Sequence, residues 1–242
     1  MRTYTEDKWR CEMSPCIPGA AAPAGGVCIL VRSPVAMVET PARTRAFVEA
    51  RAAGRAAKYV GQLAKNHEIQ IFVVYGMARG HDSKEAAAAT DAVCSAILEE
   101  ANRALVCNAV ILGDLHADPQ DIPSLKAALE DEWVDVGHAA SCIAGTPEEP
   151  TCRVGAKAVP TRRDYIFVRS DMWPDVCDFG IEHSPLIRWS KSCSRPVEEH
   201  ARLASRGRFA ICQPYGTQSS IVRQRTCPTK KPGRCARQGE QT

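Results

Sequence analysis

Residues 105–119, LVCNAVILGDLHADP, constrain the fold more than any other stretch. An apolar run over 106–112 ends at Gly113, meets an acid at once in Asp114, and passes into a polar loop closed by Pro119. A run this short and rich in β-formers, bounded by turn residues, reads as a buried strand. Its carboxyl end delivers Asp114 to the rim of a sheet, where loops carry chemistry on a rigid scaffold.

The neighbouring segments read as an alternation of strands and helices. Two glycines mark a turn before a strand over 27–32, which Pro34 ends. Over 42–65, Ala50, Ala53, Ala57, Val60 and Ala64 recur three or four apart, the spacing of an amphipathic helix. Gly54 and Gly61 weaken that helix, and its arginines form either a solvated face or a phosphate-binding surface. EIQIFVVY, 68–75, is a second apolar strand, followed by a loop over 76–82. Asp82 and Glu85 have capping-box spacing for a helix over 83–104 with Val93, Ile97, Ala101 and Leu105 as its buried stripe. A short helix follows over 122–131, with Pro123 in its first turn. Residues 135–160 read as mostly loop, 164–169 as a strand and 176–181 as another. The spacing shows no internal repeat.

Composition narrows the class. The chain of 242 residues is long enough for one large domain or two, and a net charge of +3 leaves any attraction to nucleic acid to local patches. No apolar run approaches the roughly 20 residues needed to cross a bilayer, so no membrane partner is expected. The polar, acid-bearing start MRTYTEDKWRCEM fits no signal peptide, which points to an intracellular protein of nucleus or cytoplasm. The 12 cysteines are scattered without a C-x-x-C, so most read as reduced thiols, several buried as small hydrophobes. We expect an irregular lead-in over 1–24, one domain over 25–190, and a basic, flexible tail over 191–242. The tail carries Arg223, Arg225, Lys230, Lys231, Arg234 and Arg237 against Glu240, and is either a tether for polyanions or without a role of its own.

Three segments place acids or histidines at strand ends: Asp114 with His116, Asp164, and Glu182 with His183. Phosphodiester hydrolysis needs this mixture. A carboxylate can hold a divalent cation that offsets phosphate charge, a second can orient or deprotonate water, and an imidazole can bond phosphoryl oxygens while a further Asp fixes its ring. Each feature also has a plainer reading. Asp114 and His183 fit turn positions, and Asp164 fits a strand-edge acid paired with Arg162 or Arg163.

Taken together, GGVCI (25–29), YG (75–76), GDLHADP (113–119), RRDYIF (162–167) and EHSP (182–185) resemble the endonuclease/exonuclease/phosphatase superfamily. That superfamily includes enzymes like deoxyribonuclease I, the exonuclease III-type abasic-site endonucleases and the endonucleases of non-LTR retrotransposons. The resemblance covers 25–187 and implies a four-layer α/β sandwich, two packed mixed sheets flanked by helices. It implies Mg²⁺ or Mn²⁺ as cofactor and nucleic acid, foremost DNA, as partner. Asp114 would position or activate water, Asp164 would orient His183, His183 would stabilise charge on phosphate, Glu182 and Asp114 would serve the metal, and Tyr75 would lie near the phosphate or in the core. The sequence departs from the pattern where His116 replaces an Asn and where Ile181-Glu182-His183 replaces Ser-Asp-His. No apolar strand is expected ahead of GGVCI, where the family has two early strands, the second ending in its principal metal-binding Glu. The implied activities are therefore Mg²⁺-dependent DNA endonuclease chemistry, impaired by that loss; an inactive retroelement-derived remnant that at most binds nucleic acid; or a phosphatase or phosphodiesterase acting on lipid headgroups or nucleotides.

Overall fold

The computed structural model describes residues 2–4, 9–14, 25–32, 36–64, 67–103, 108–152, 159–176, 179, 208–210 and 221–223. Its centre is a six-stranded mixed sheet in the order β4-β5-β6-β7-β9-β8. The strands are β4 (Ala36–Glu39), β5 (Ala56–Ala64), β6 (His67–Tyr75), β7 (Ala109–Asp114), β8 (Trp133–Asp135) and β9 (Asp164–Arg169). A smaller antiparallel sheet joins β1 (Arg2–Tyr4), β2 (Trp9–Ser14) and β3 (Val27–Arg32).

The large sheet is buried on both faces, as period-2 alternation requires. Phe72 and Val74 of β6 pack with Ile111 of β7 against α1 (Arg45–Ala52), α2 (Lys84–Asn102) and α3 (Pro123–Asp131), through Phe47, Val93, Ile97 and Leu125. Ile71 and Val73 point the other way and meet Val27, Ile29 and Val31 of β3. The molecule is thus an α/β sandwich: helices, large sheet, smaller sheet.

Three expectations are corrected. The helix read over 42–65 is a short helix followed by a strand. Gly54, at φ +63°, reverses the chain after α1, and β5 then pairs with β6 along its length. Alanine is permissive enough to appear at helical spacing in a strand, and the alternation of Ala57 and Tyr59 toward one core with Ala56 and Lys58 toward the other decides the matter. The segment read as loop over 135–160 contains α4 (Val136–Ala144). Asp135 caps it by accepting from the N–H groups of Gly137 and His138, and Gly145 ends it at φ +64°. The lead-in, expected to be irregular, carries β1 and β2, so two strands precede β3.

Smaller differences follow the same logic. The cap of α2 is Ser83, which accepts from the Ala86 N–H, while Glu85 receives the Ser83 hydroxyl; Asp82 lies one residue too early. Val93, Ile97 and Ala101 line its buried face, and Leu105 lies outside the described residues. Cys94 and Cys152 are buried free thiols. In the tail, β10 (Arg208–Ala210) and β11 (Ile221–Arg223) pair antiparallel; the remainder of 191–242 and most of the strand expected over 176–181 lie outside the described residues. No helix among the described residues is long and apolar enough to cross a membrane.

Candidate active site at the edge of the large sheet

Register brings together residues that are far apart in sequence. In the parallel β6–β7 pair Tyr75 stands opposite Asp114, and in the antiparallel β7–β9 pair Asp114 stands opposite Asp164. Tyr75, Asp114 and Asp164 therefore form one row across three adjacent strands, at the end where β6 and β7 give way to loops. Two glycines allow the backbone to close there. A side chain at Gly113 would run into the Val74 carbonyl, and one at Gly76 into the Leu115 carbonyl. The Gly76 N–H donates to the Asp114 carbonyl at 2.7 Å, and the Leu115 N–H to the Arg163 carbonyl at 2.9 Å, tying the loops to the row.

Asp114 is only 3 % exposed. Its Oδ1 accepts the His116 backbone N–H at 2.9 Å, a local turn that puts His116 in the left-handed region at φ +54°. His116 Nε2 then lies 3.1 Å from Asp114 Oδ2, in a geometry that is not a hydrogen bond, and its buried Nδ1 has no hydrogen-bond partner. The imidazole meets the Tyr75 ring edge to face, with centroids 5.5 Å apart. Burial pushes the His116 pKa down; the Asp114 carboxylate opposes this, and the positive charges of Arg163 and Arg55 and the His81 side chain reinforce it. The ring is therefore held neutral near neutral pH. Burial likewise pushes the Tyr75 phenol up, aided by Asp114 and opposed by Arg55, so it stays protonated.

Arg55 was not among the residues singled out by sequence. Its guanidinium lies 5.2 Å from the Tyr75 ring centroid and donates to the Gly76 carbonyl at 3.0 Å. The only signal for it was an arginine beside Gly54, obscured by the helical reading of that segment. Thr151 was missed as well: its hydroxyl accepts from the N–H groups of Arg163 (2.9 Å) and Asp164 (3.0 Å), fixing the entry to β9. Arg162 donates to Asp135 and Glu148. Tyr75 combines both of its readings, since it packs on the core shared with β3 and faces His116. Glu182 and His183 lie outside the described residues.

A divalent cation needs several oxygen donors around one point. Among the described residues no three His, Cys, Asp or Glu side chains converge in that way. The described donors do not by themselves fit the implied Mg²⁺ or Mn²⁺.

No family model and no curated protein matches this chain. Solved structures with a similar trace include the human Nocturnin catalytic domain with bound sulfate, at 12% identity over 89% of this chain and 71% of that one, TM-score 0.46. Another is D. rerio TDP2 complexed with a single-strand DNA product, at 12% identity over 73% and 67%, TM-score 0.47. A third is the 3' phosphatase NExo from Neisseria bound to a product DNA hairpin, at 13% identity over 91% and 80%, TM-score 0.49.

Proposed function

We propose that the chain hydrolyses phosphodiester bonds at the edge formed by β6, β7 and β9, with nucleic acid, foremost DNA, as its substrate class. The observation that carries this reading is the row Tyr75–Asp114–Asp164, in which strand register gathers residues from three separate motifs. Asp114 accepts a proton from the attacking water as the new O–P bond forms and the ester P–O bond breaks, and the leaving oxygen takes a proton from solvent. The protonated Tyr75 phenol donates to a phosphoryl oxygen, and the Arg55 guanidinium beside it offsets the charge that develops there. Neutral His116 keeps Asp114 in place through its backbone N–H. Asp164 is assigned the orientation of His183, and Glu182 a place near the metal, on the resemblance alone.

One observation favours a second reading, a catalytically silent remnant that binds nucleic acid. Asp114 is 3 % exposed, with the His116 ring lying against it where the family pattern has Asn. Nicking of supercoiled plasmid, with Mg²⁺, with Mn²⁺ and with EDTA, separates the two. Cation-dependent nicking that Asp114→Asn removes supports hydrolysis. Absence of nicking by folded protein that still retains duplex DNA supports the remnant reading, and loss of both sinks nucleic acid as the partner.

A further inference from the structure

Beyond the end of β8, α4 carries a nucleophile, a base and a carboxylate in line. Cys142 and His138 are one helical turn apart, so their side chains share a face. Cys142 Sγ lies 3.6 Å from His138 Nε2, and on the far side of the ring His138 Nδ1 lies 2.6 Å from Glu148 Oε1. The helix is capped at both ends, by Asp135 before it and by left-handed Gly145 after it, and the segment beyond Gly145 brings Glu148 back against the ring. Glu148 is held in turn: its Oε2 accepts from Arg162 Nη1 at 2.7 Å, and that guanidinium, 9% exposed, is anchored on Asp135.

The chemistry follows from which ring nitrogen carries the proton. A carboxylate against Nδ1 holds the proton there, which leaves the Nε2 lone pair directed at the thiol. Nucleophile, base and orienting group are thus in sequence, the relation that activates a cysteine. Because Glu148 and Cys142 occupy opposite edges of the ring, the three side chains do not converge on a common point as metal ligands would. Cys142 is exposed, whereas Cys94 and Cys152 are buried. Burial opposes ionisation of Glu148, yet its hydrogen bonds from His138 and Arg162 outweigh that and hold it below the ordinary carboxylate range.

We propose that Cys142 is a reactive thiol that is modified by disulfides, with His138 as its base and Glu148 as the positioning residue. This is independent of the phosphodiester reading. The Cys142 proton passes to His138 Nε2, and the thiolate attacks one sulfur of a small-molecule disulfide. A new S–S bond joins Cys142 to that half as the reagent's own S–S bond breaks, and the departing thiolate takes the proton back from His138. Cys142 is oxidised and the reagent reduced by the same two electrons.

The test is the rate at which the full chain reacts with dipyridyl disulfide, with Cys142 followed by peptide mass spectrometry across a pH series. Cys142 is expected to react faster than Cys11 and Cys28, and His138→Gln to slow it by about tenfold at neutral pH. Glu148→Gln is expected to slow it less and to move the pH profile of the rate upward. Among the described residues, the charged groups facing the pair are Glu148 and, behind it, Arg162 and Asp135, so Arg162→Lys is a control that keeps the charge. His138, Glu148 and Cys142 sit at the surface while Arg162 is largely buried, and an unchanged thermal midpoint verifies folding of each variant. A Cys142 rate and pH profile that stay the same in His138→Gln would overturn the proposal, as would Cys142 reacting no faster than Cys28.

Discussion

His116 shows how a single residue can join site and stability. Its ring is buried between Asp114 and Tyr75 and its pKa is lowered by that burial, so the folded protein takes up a proton less readily there than the unfolded chain. A group of this sign leaves stability intact above its unfolded pKa, near 6.5, and lowers it as pH falls below that value. Urea unfolding at pH 7.5 and 5.5 is expected to show this loss, and His116→Asn to remove that component while tolerating the left-handed backbone. An acid sensitivity that is identical in the variant would place its origin elsewhere. Gly76 is the backbone counterpart. Gly76→Ala drives a methyl group into the Leu115 carbonyl and is expected to cost at least about 2 kcal/mol in denaturant unfolding. Asp114, Asp164 and His116 were singled out in the sequence by their place at strand ends, and Tyr75 through the family resemblance; strand register sets Tyr75, Asp114 and Asp164 in one row. Arg55 was not singled out, because it meets Tyr75 through the pairing of β5 with β6 rather than along the chain.

Between elements, the most consequential contact is a buried ion pair. Lys58 Nζ of β5 lies 2.7 Å from Glu100 Oε1 of α2, and Glu100, fully buried, also accepts the N–H groups of Arg43 and Thr44 ahead of α1. One carboxylate thus fastens two helices to a strand. Burial raises the Glu100 pKa, but the bonds from Lys58, Thr44 and Arg43 outweigh it, so its net shift is downward. Glu100→Ala leaves a buried ammonium and two orphaned N–H groups and is expected to lose about 3–5 kcal/mol. Adding Lys58→Met should recover only part of that, since the backbone donors remain unpaired. Full recovery in denaturant unfolding would show that the N–H groups find other partners. The same contact explains why β5 was misread. An alanine-rich stretch has weak local preference, and Lys58 is drawn to one face by a glutamate 42 residues away. In α4 the signal was present but misassigned, for Asp135 and Gly145 are its two caps and read locally as turn residues.

For the whole molecule, the stretch over 1–24 matters more than its composition suggested. β2 pairs with β3 from Trp9↔Arg32 to Ser14↔Val27, and the Tyr59 hydroxyl donates to the Glu12 carbonyl at 3.3 Å, linking the smaller sheet to β5. Deleting 1–24 strips β3 of its partner and is expected to lower the thermal midpoint by more than about 5 °C; an unchanged midpoint would return this stretch to the status of a lead-in. The amino-acid sequence by itself determined what short-range chemistry can specify: the apolar runs that became β3, β6, β7 and β9, the start of α2 to within a residue, Pro123 at the head of α3, and an acid at the end of a buried strand. Only the tertiary structure decided strand order, register and partner. It set Tyr75, Asp114 and Asp164 side by side, turned 56–64 from helix to strand, and buried Lys58 against Glu100. The reason is that hydrophobic period and turn chemistry act over a few residues, whereas pairing and burial depend on which distant segment supplies the hydrogen bonds and the apolar cover.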